Sequence, residues 1–219
     1  MTALRLAHRG DWRRAPENSL AAFRAALAVP ACDGLEFDVQ AARGGAPVCY
    51  HDDTLKRVHG VDRRVDELDV GELGAIGVAT LEAVLADVPR RAFLDVELKQ
   101  DLGRPVFEVL ATRRGPRLER AVVSSFLPAA LERIAGFAPA WPRWLNARDA
   151  EPATIRIARE LGCRGISVEW RALDRSALAR ARAVDLEVAA WTVRRRPTFA
   201  RLERLGVAAI CVEGAALDG

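Results

Sequence analysis

Eight strand-length apolar runs recur along this chain, and most of the gaps between them hold a segment of helical periodicity. The runs are Leu4–His8, Leu35–Val39, Phe93–Leu98, Ala121–Phe126, Arg143–Asn146, Gly165–Glu169, Val188–Val193 and Ala208–Val212. The amphipathic segments include Ser19–Val29, Leu81–Ala86, Val106–Arg113, Pro128–Ala135, Ala153–Leu161, Arg175–Ala183 and Thr198–Leu205. Thr80, Asp174 and Pro197 stand where N-caps or first-turn residues belong, and Gly162 and Gly206 follow their helices as stop signals. Strands that alternate with helices need crossover connections, so they pair in parallel and are covered by the helices. Eight such units predict a (β/α)₈ TIM barrel, with a doubly wound open sheet as the alternative. No G-x-G-x-x-G follows the first run, which counts against a dinucleotide-binding version of the open sheet.

One stretch breaks the alternation. Residues 41–78 hold a ninth short run, Pro47–His51, and then a polar segment rich in Asp, Arg and Gly. They fit a small insertion after strand two better than another βα unit, and long loops inside a compact domain are usually functional. The expected organisation is one barrel domain over residues 1–219.

Composition narrows the class. Charged residues make up 29% of the 219 but nearly cancel, at a formal net charge of +3. The basic residues are interleaved with Asp and Glu and form no aromatic-studded basic run, so no nucleic-acid partner is expected. Neither a membrane-length apolar stretch nor a leader-like h-region is present, and Cys32, Cys49, Cys163 and Cys211 lack close metal or redox spacing. A cytoplasmic protein with reduced cysteines is expected. Arginine supplies nearly all the cations, and the only lysines are Lys56 and Lys99.

In a barrel, chemistry collects at the C-terminal ends of the strands. The first run ends in His8-Arg9-Gly10, the second carries Glu36-x-Asp38, and the third reads Asp95-Val96-Glu97-Leu98-Lys99. The period-2 pleat places Glu36 with Asp38 on one face, and Asp95, Glu97 and Lys99 on one face of the next strand. Like charges so close repel unless a cation or protons lie between them. Glu36, Asp38 and Glu97 therefore suit a hard divalent cation, Mg²⁺ or Ca²⁺. Taken singly, each signal has a plainer reading. Glu-x-Asp also fits a solvated face, His8 a hydrogen-bonded loop residue, His51-Asp52-Asp53 a capped turn, and Trp191 ordinary core, as do Trp12, Trp141 and Trp144.

These residues sit in segments that resemble the glycerophosphodiester phosphodiesterase family. The matching stretches are Ala7-His8-Arg9-Gly10, Pro16-Glu17-Asn18-Ser19 with Phe23, Gly34-Leu35-Glu36-Phe37-Asp38-Val39 and Pro47-Val48-Cys49-Tyr50-His51-Asp52-Asp53-Thr54-Leu55. Thr80-Leu81-Glu82, Val96-Glu97-Leu98-Lys99, Ser124-Ser125-Phe126 and Ala190-Trp191-Thr192-Val193 follow in the family's order. The resemblance implies a barrel with a small insertion after strand two. It also implies metal-dependent hydrolysis of a small glycerophosphodiester to glycerol 3-phosphate and an alcohol. His8 and His51 would be the acid–base pair, and Glu36, Asp38 and Glu97 would bind one divalent cation. Arg9 and Lys99 would bind phosphate, with Glu17 and Trp191 beside the substrate. Members are similar in using the substrate's own glycerol hydroxyl as nucleophile, so that a cyclic phosphate forms and is then opened by water. His59 has no role in this pattern.

Two positions depart from the family. Arg194 follows Trp191-Thr192-Val193 where Asn is usual, and Val212-Glu213-Gly214-Ala215 replaces Thr-Asp-x-Pro. Both fall outside the expected metal and acid–base sets and near the barrel mouth, so they bear on substrate preference. Arg194 either favours an anionic headgroup or simply faces solvent. A lysophospholipid-cleaving enzyme, a metal-independent phosphodiesterase acting on phosphoinositides and a non-catalytic barrel that binds phosphorylated ligands are the competing readings.

Overall fold

The computed structural model describes residues 2–219. Its strands are β1 (Leu4–His8), β2 (Gly34–Ala41), β3 (Pro47–Cys49), β4 (Phe93–Leu98), β5 (Ala121–Ser125), β6 (Arg143–Ala147), β7 (Gly165–Glu169), β8 (Glu187–Val193) and β9 (Ala209–Val212). The helices are α1 (Leu20–Leu27), α2 (Lys56–His59), α3 (Val70–Ala75), α4 (Leu81–Asp87), α5 (Gly103–Arg114), α6 (Pro128–Phe137), α7 (Pro152–Glu160), α8 (Arg175–Arg182) and α9 (Arg196–Leu205). All strands but β3 are parallel to their neighbours, in the order β1-β9-β8-β7-β6-β5-β4-β2. A further ladder, Leu6 to Gly34 through His8 to Glu36, joins β1 to β2 and closes the circle. That closure excludes the open sheet. The architecture is a (β/α)₈ barrel with helices between the strands.

Local chemistry explains the helix boundaries. The Ser19, Thr80 and Asp174 side chains accept from the backbone N–H groups of Ala22, Ala83 and Ala177, so each serves as N-cap. Pro197 occupies the first turn of α9, and Gly206 ends it at φ +86°. Helix α9 begins at Arg196, two residues before the periodicity predicts, because the hydrophobic pattern does not register the polar first turn.

Inside and outside of the barrel are separated by the pleat. Leu35, Phe37 and Val39 of β2 and Leu94, Val96 and Leu98 of β4 point outward into the main core beneath the helices, where the Phe23 and Phe37 rings lie 5.4 Å apart. The opposite parity points inward. Leu6, Val122, Trp144, Ala189 and Ala209 fill the lower part of the barrel, while Glu36, Asp38, Asp95 and Glu97 occupy its upper part. Trp141 and Trp144 are core residues, but Trp12 is 47% exposed, since it sits in the loop after β1 with no layer above it.

The segment between β2 and α4 leaves the barrel wall. β3 turns back antiparallel on the end of β2, pairing Cys49 with Val39, and α2 and α3 follow. Val48, Tyr50, Leu55, Val65, Leu68, Leu73 and Val78 form a small core of their own there. This arrangement brings His51 to the C-terminal mouth of the barrel. All four cysteines are free, and no helix among the described residues is long and apolar enough to cross a membrane.

Candidate active site

A cavity of about 230 Å³ opens at the C-terminal end of the barrel, walled by His8, Arg9, Glu36, His51, Glu97 and Lys99. Trp191, Phe126 and Asn146 complete its sides. The backbone at the exit of β1 is tightly folded to aim the first pair. Arg9 takes φ +59° and Gly10 φ +82°, and a Cβ on Gly10 would lie 2.7 Å from the carbonyl carbon of Ala22. Only glycine fits between the strand end and α1.

Glu36, Asp38 and Glu97 meet as the pleat requires, because β2 and β4 pair Glu36 with Asp95 and Asp38 with Glu97. One oxygen from each of the three lies within 4.8 Å of the others. All are buried, and Glu36 Oε2 and Asp38 Oδ1 have no hydrogen-bond partner. Burial, reinforced by Asp38, Glu97 and Asp95, pushes Glu36 well above the usual carboxylate range. Asp38 goes the other way. Burial raises it, but Arg9, His51, Lys99 and the Asn18 amide together hold it below its ordinary value. Asp95 lies one layer deeper, and its carboxyl is pushed by burial up to about 7.

Two cations offset part of this charge. Arg9 Nε lies 3.0 Å from Asp38 Oδ2, and Arg9 Nη1 is 2.9 Å from Glu17 Oε1. Lys99 Nζ is 2.7 Å from Glu97 Oε1 and 3.5 Å from Asp38 Oδ1. Glu36, Asp38 and Glu97 share these two cations, and Arg9 also serves Glu17. The all-oxygen donor set, the surplus negative charge and the two orphaned oxygens fit a hard divalent cation held by Glu36, Asp38 and Glu97.

Both histidines are gripped in the same way. His8 Nδ1 lies 2.5 Å from Glu213 Oε1, and Arg194 Nε donates to Glu213 Oε2 at 2.7 Å. His51 Nδ1 lies 2.6 Å from Asp52 Oδ1, and Arg57 Nε donates to Asp52 Oδ2 at 2.6 Å. Burial works against ionisation of Glu213, yet the contacts with His8 and Arg194 bring it to about 2. Asp52 is likewise brought to about 2, against burial, by Arg57 and His51. Ionised carboxylates only accept, so each Nδ1 carries a proton and each Nε2 is left outside that contact. On His8 that nitrogen is 3.8 Å from Glu36 Oε2.

The profile of the glycerophosphoryl diester phosphodiesterase family matches residues 8–215, from the first histidine to just past the last strand. The chain belongs to that family. A Caldanaerobacter subterraneus glycerophosphodiester phosphodiesterase is 30% identical over 157 residues, a match that covers 64% of each chain. A Mycobacterium tuberculosis protein named "Probable glycerophosphodiester phosphodiesterase 1" is 30% identical over 219 residues, covering 82% of this chain and 79% of that one. Among solved structures, a phosphodiesterase from Oleispira antarctica, in complex with the product sn-glycerol-3-phosphate, superposes with a TM-score of 0.86. It is 24% identical and the match covers 96% of this chain and 93% of that one, so it bears on the fold.

Of the expected site residues, His8, Arg9, Glu36, His51, Glu97, Lys99 and Trp191 line the cavity. Asp38 lies behind them at 1% exposure, and Glu17 reaches the site through Arg9. His59 stacks on Tyr50, with ring centroids 5.7 Å apart, at the edge of the small core after β3. One expectation needs correction. Glu213 is a departure from the family pattern, yet it is bonded directly to His8, so it bears on how His8 is held and not on substrate preference alone. Several contributors have no role assigned from the sequence, although Asn18 lies in one of the matching stretches. Asn18 donates to Asp38 Oδ2 at 2.9 Å and receives the Asp38 N–H, and Asn146 donates to Glu97 Oε2 at 3.2 Å. Asn146 shares the inward parity of Trp144, and that parity was the available signal. Nothing local marks Arg57, which reaches both Asp52 and Glu17.

Proposed function

We propose that this protein hydrolyses glycerophosphodiesters to glycerol 3-phosphate and an alcohol, with one divalent cation, Mg²⁺ or Ca²⁺, and a two-histidine acid–base mechanism. The observation that carries the reading is the convergence of His8 and His51 on a cavity floored by Glu36, Asp38 and Glu97 and flanked by Arg9 and Lys99. Family membership and the names of the relatives point the same way.

A phosphodiester is anionic and resists attack, so charge on its non-bridging oxygens must be offset as the reaction proceeds. A cation held by Glu36, Asp38 and Glu97 would supply Lewis-acid stabilisation of those oxygens. Arg9 and Lys99 add two fixed positive charges at the same wall. One histidine takes the proton of the attacking glycerol hydroxyl through Nε2. The P–O bond to that oxygen forms, the P–O bond to the departing alcohol breaks, and the second histidine protonates the alkoxide. Water then opens the cyclic phosphate with the two roles reversed. Acid–base assistance of this kind is commonly worth ~10²–10⁴-fold. Glu17 orients Arg9, and Trp191, tethered by its Nε1–H to the Ser167 carbonyl at 2.9 Å, forms a wall against the substrate. The same reading treats residues 1–219 as one barrel domain in which about 41–78 is an inserted segment that delivers His51. It also places the protein, with its four free cysteines, in the reducing cytoplasm.

Hydrolysis of glycerophosphocholine or glycerophosphoethanolamine with added Mg²⁺ or Ca²⁺ tests the proposal. EDTA is expected to abolish it, and His8→Ala or His51→Ala to lower the rate by several orders of magnitude, about 10²–10⁴-fold. Turnover indifferent to chelation would remove the cation from the mechanism. A wild-type rate in either histidine variant would remove that residue.

A further inference from the structure

Beside the catalytic cavity, at the ends of β7 and β8, lies a second recess of about 580 Å³ that shares Trp191 and Thr192 with it. Trp170, Arg171, Arg194 and Arg195 form much of its lining. The catalytic cavity, about 230 Å³, is smaller than the ~300–1,000 Å³ usual for a pocket that encloses a whole small ligand. A glycerophosphodiester seated on its floor therefore extends one end out of the cavity. The Phe126 ring closes against Trp191 edge-on, at 5.5 Å between centroids, on the cavity side. The adjoining outlet that shares this wall is the arginine-lined recess.

Its electrostatics are one-sided. Arg171 is offset by Glu169 at 2.7 Å. Arg194 uses Nε for Glu213, while its side chain remains 74% exposed, so its terminal nitrogens are free to bind. Arg195 has no carboxylate within ion-pair distance among the described residues. Helix α9 starts at this wall with no acidic residue in its first turn and no side-chain cap from Arg195, so its positive end is uncompensated. Arg43, Arg63 and Arg64 each have a carboxylate partner; in the recess Arg171 and Arg194 have one each and Arg195 has none, so the positive charge exceeds the negative there.

We propose that the recess is the subsite for the leaving alcohol and selects headgroups that carry a fixed negative charge, a carboxylate or a phosphate, over cationic ones. The proposal rests on the phosphodiesterase reading above and sharpens it to a substrate class. The anionic end of the headgroup pairs with Arg195 and with the free terminal nitrogens of Arg194. Trp170 and Trp191 flank its carbon portion.

The test compares kcat/KM at low ionic strength for four glycerophosphodiesters whose alcohols are 3-hydroxypropionate, glycerol phosphate, glycerol and choline. Wild type is expected to favour the first two over choline by about 5-fold or more, with glycerol between, and the preference should fade at high salt. Arg195→Ser should collapse the preference. Arg171→Ser should move it toward choline, because Glu169 is then left uncompensated. Neither residue touches the histidines or the carboxylate cluster, so the readout is the ratio of kcat/KM between the anionic and cationic headgroups within each variant. Carboxylate and phosphate headgroups that differ from each other would show which anion the recess fits. Equal kcat/KM across the four, or a preference that survives both substitutions, overturns the proposal while leaving the phosphodiesterase reading standing. Failure of wild type on all four overturns both.

Discussion

Replacing Glu213 by Gln removes one charge and hardly any volume, which makes it a sharp probe of how His8 is held. In wild type the carboxylate accepts from His8 Nδ1 at 2.5 Å and from Arg194 Nε at 2.7 Å, at 6% exposure. A hydrogen bond to a charged group contributes about 1.5–3 kcal/mol. At 1.36 kcal/mol per tenfold in rate, its loss corresponds to a drop of roughly 10- to 150-fold in kcat/KM. The amide adds a second fault. Its NH₂ can face His8, which forces the proton from Nδ1 onto Nε2, or face Arg194, which sets donor against donor. The loss should therefore reach the upper part of that range and fall on kcat more than on KM, since Glu213 itself does not line the cavity. Steady-state hydrolysis of glycerophosphocholine with saturating cation provides the assay, and circular dichroism confirms that the fold is retained. Glu213→Asp should recover part of the activity, because the acceptor charge returns on a shorter side chain. A Glu213→Gln enzyme within twofold of wild type would refute the orienting role of this carboxylate.

Three further outcomes follow from the geometry. Glu36→Gln should abolish thermal stabilisation by Mg²⁺ or Ca²⁺ without lowering the melting temperature of the metal-free protein, because burial and its acidic neighbours already disfavour the Glu36 charge; a variant still stabilised by either cation would remove Glu36 from the ligand set. The Asp95 carboxyl titrates at about 7 in the folded protein against an ordinary 3.8, so the folded state holds its proton more tightly and stability falls as pH rises through that window. In metal-free protein Asp95→Asn should relieve that penalty, by an amount on the order of 4 kcal/mol at pH 8 and nearly nothing at pH 4, with urea denaturation at the two pH values as the check. Gly10→Ala should destabilise by at least ~2 kcal/mol in the same assay, since it combines left-handed backbone with a 2.7 Å contact to the Ala22 carbonyl carbon; near-neutral stability would mean that the β1 exit relaxes freely.

Much of this protein is legible in its sequence because the signals are periodic and local. A period of two makes β2 and β4 apolar on one face and acidic on the other, and the alternation of strands with amphipathic helices leaves few topologies to choose from. Ser19, Thr80 and Asp174 announce helix starts with hydrogen bonds that span only three residues. The same parity puts Glu36 with Asp38 on one face of β2 and Asp95 with Glu97 on one face of β4, and the parallel pairing of the two strands joins them. Closure of the barrel is another matter, since the β1–β2 ladder depends on strand tilt and stagger accumulated around the whole sheet. So do the partners of the two histidines. Asp52 adjoins His51 in the chain, but Glu213 meets His8 across 205 residues, and Arg57 crosses 40 to reach Glu17. A sequence states which groups can ionise. Which of them are buried together, and so which must share a proton, a cation or a hydrogen bond, is decided only when distant strand ends converge on one mouth.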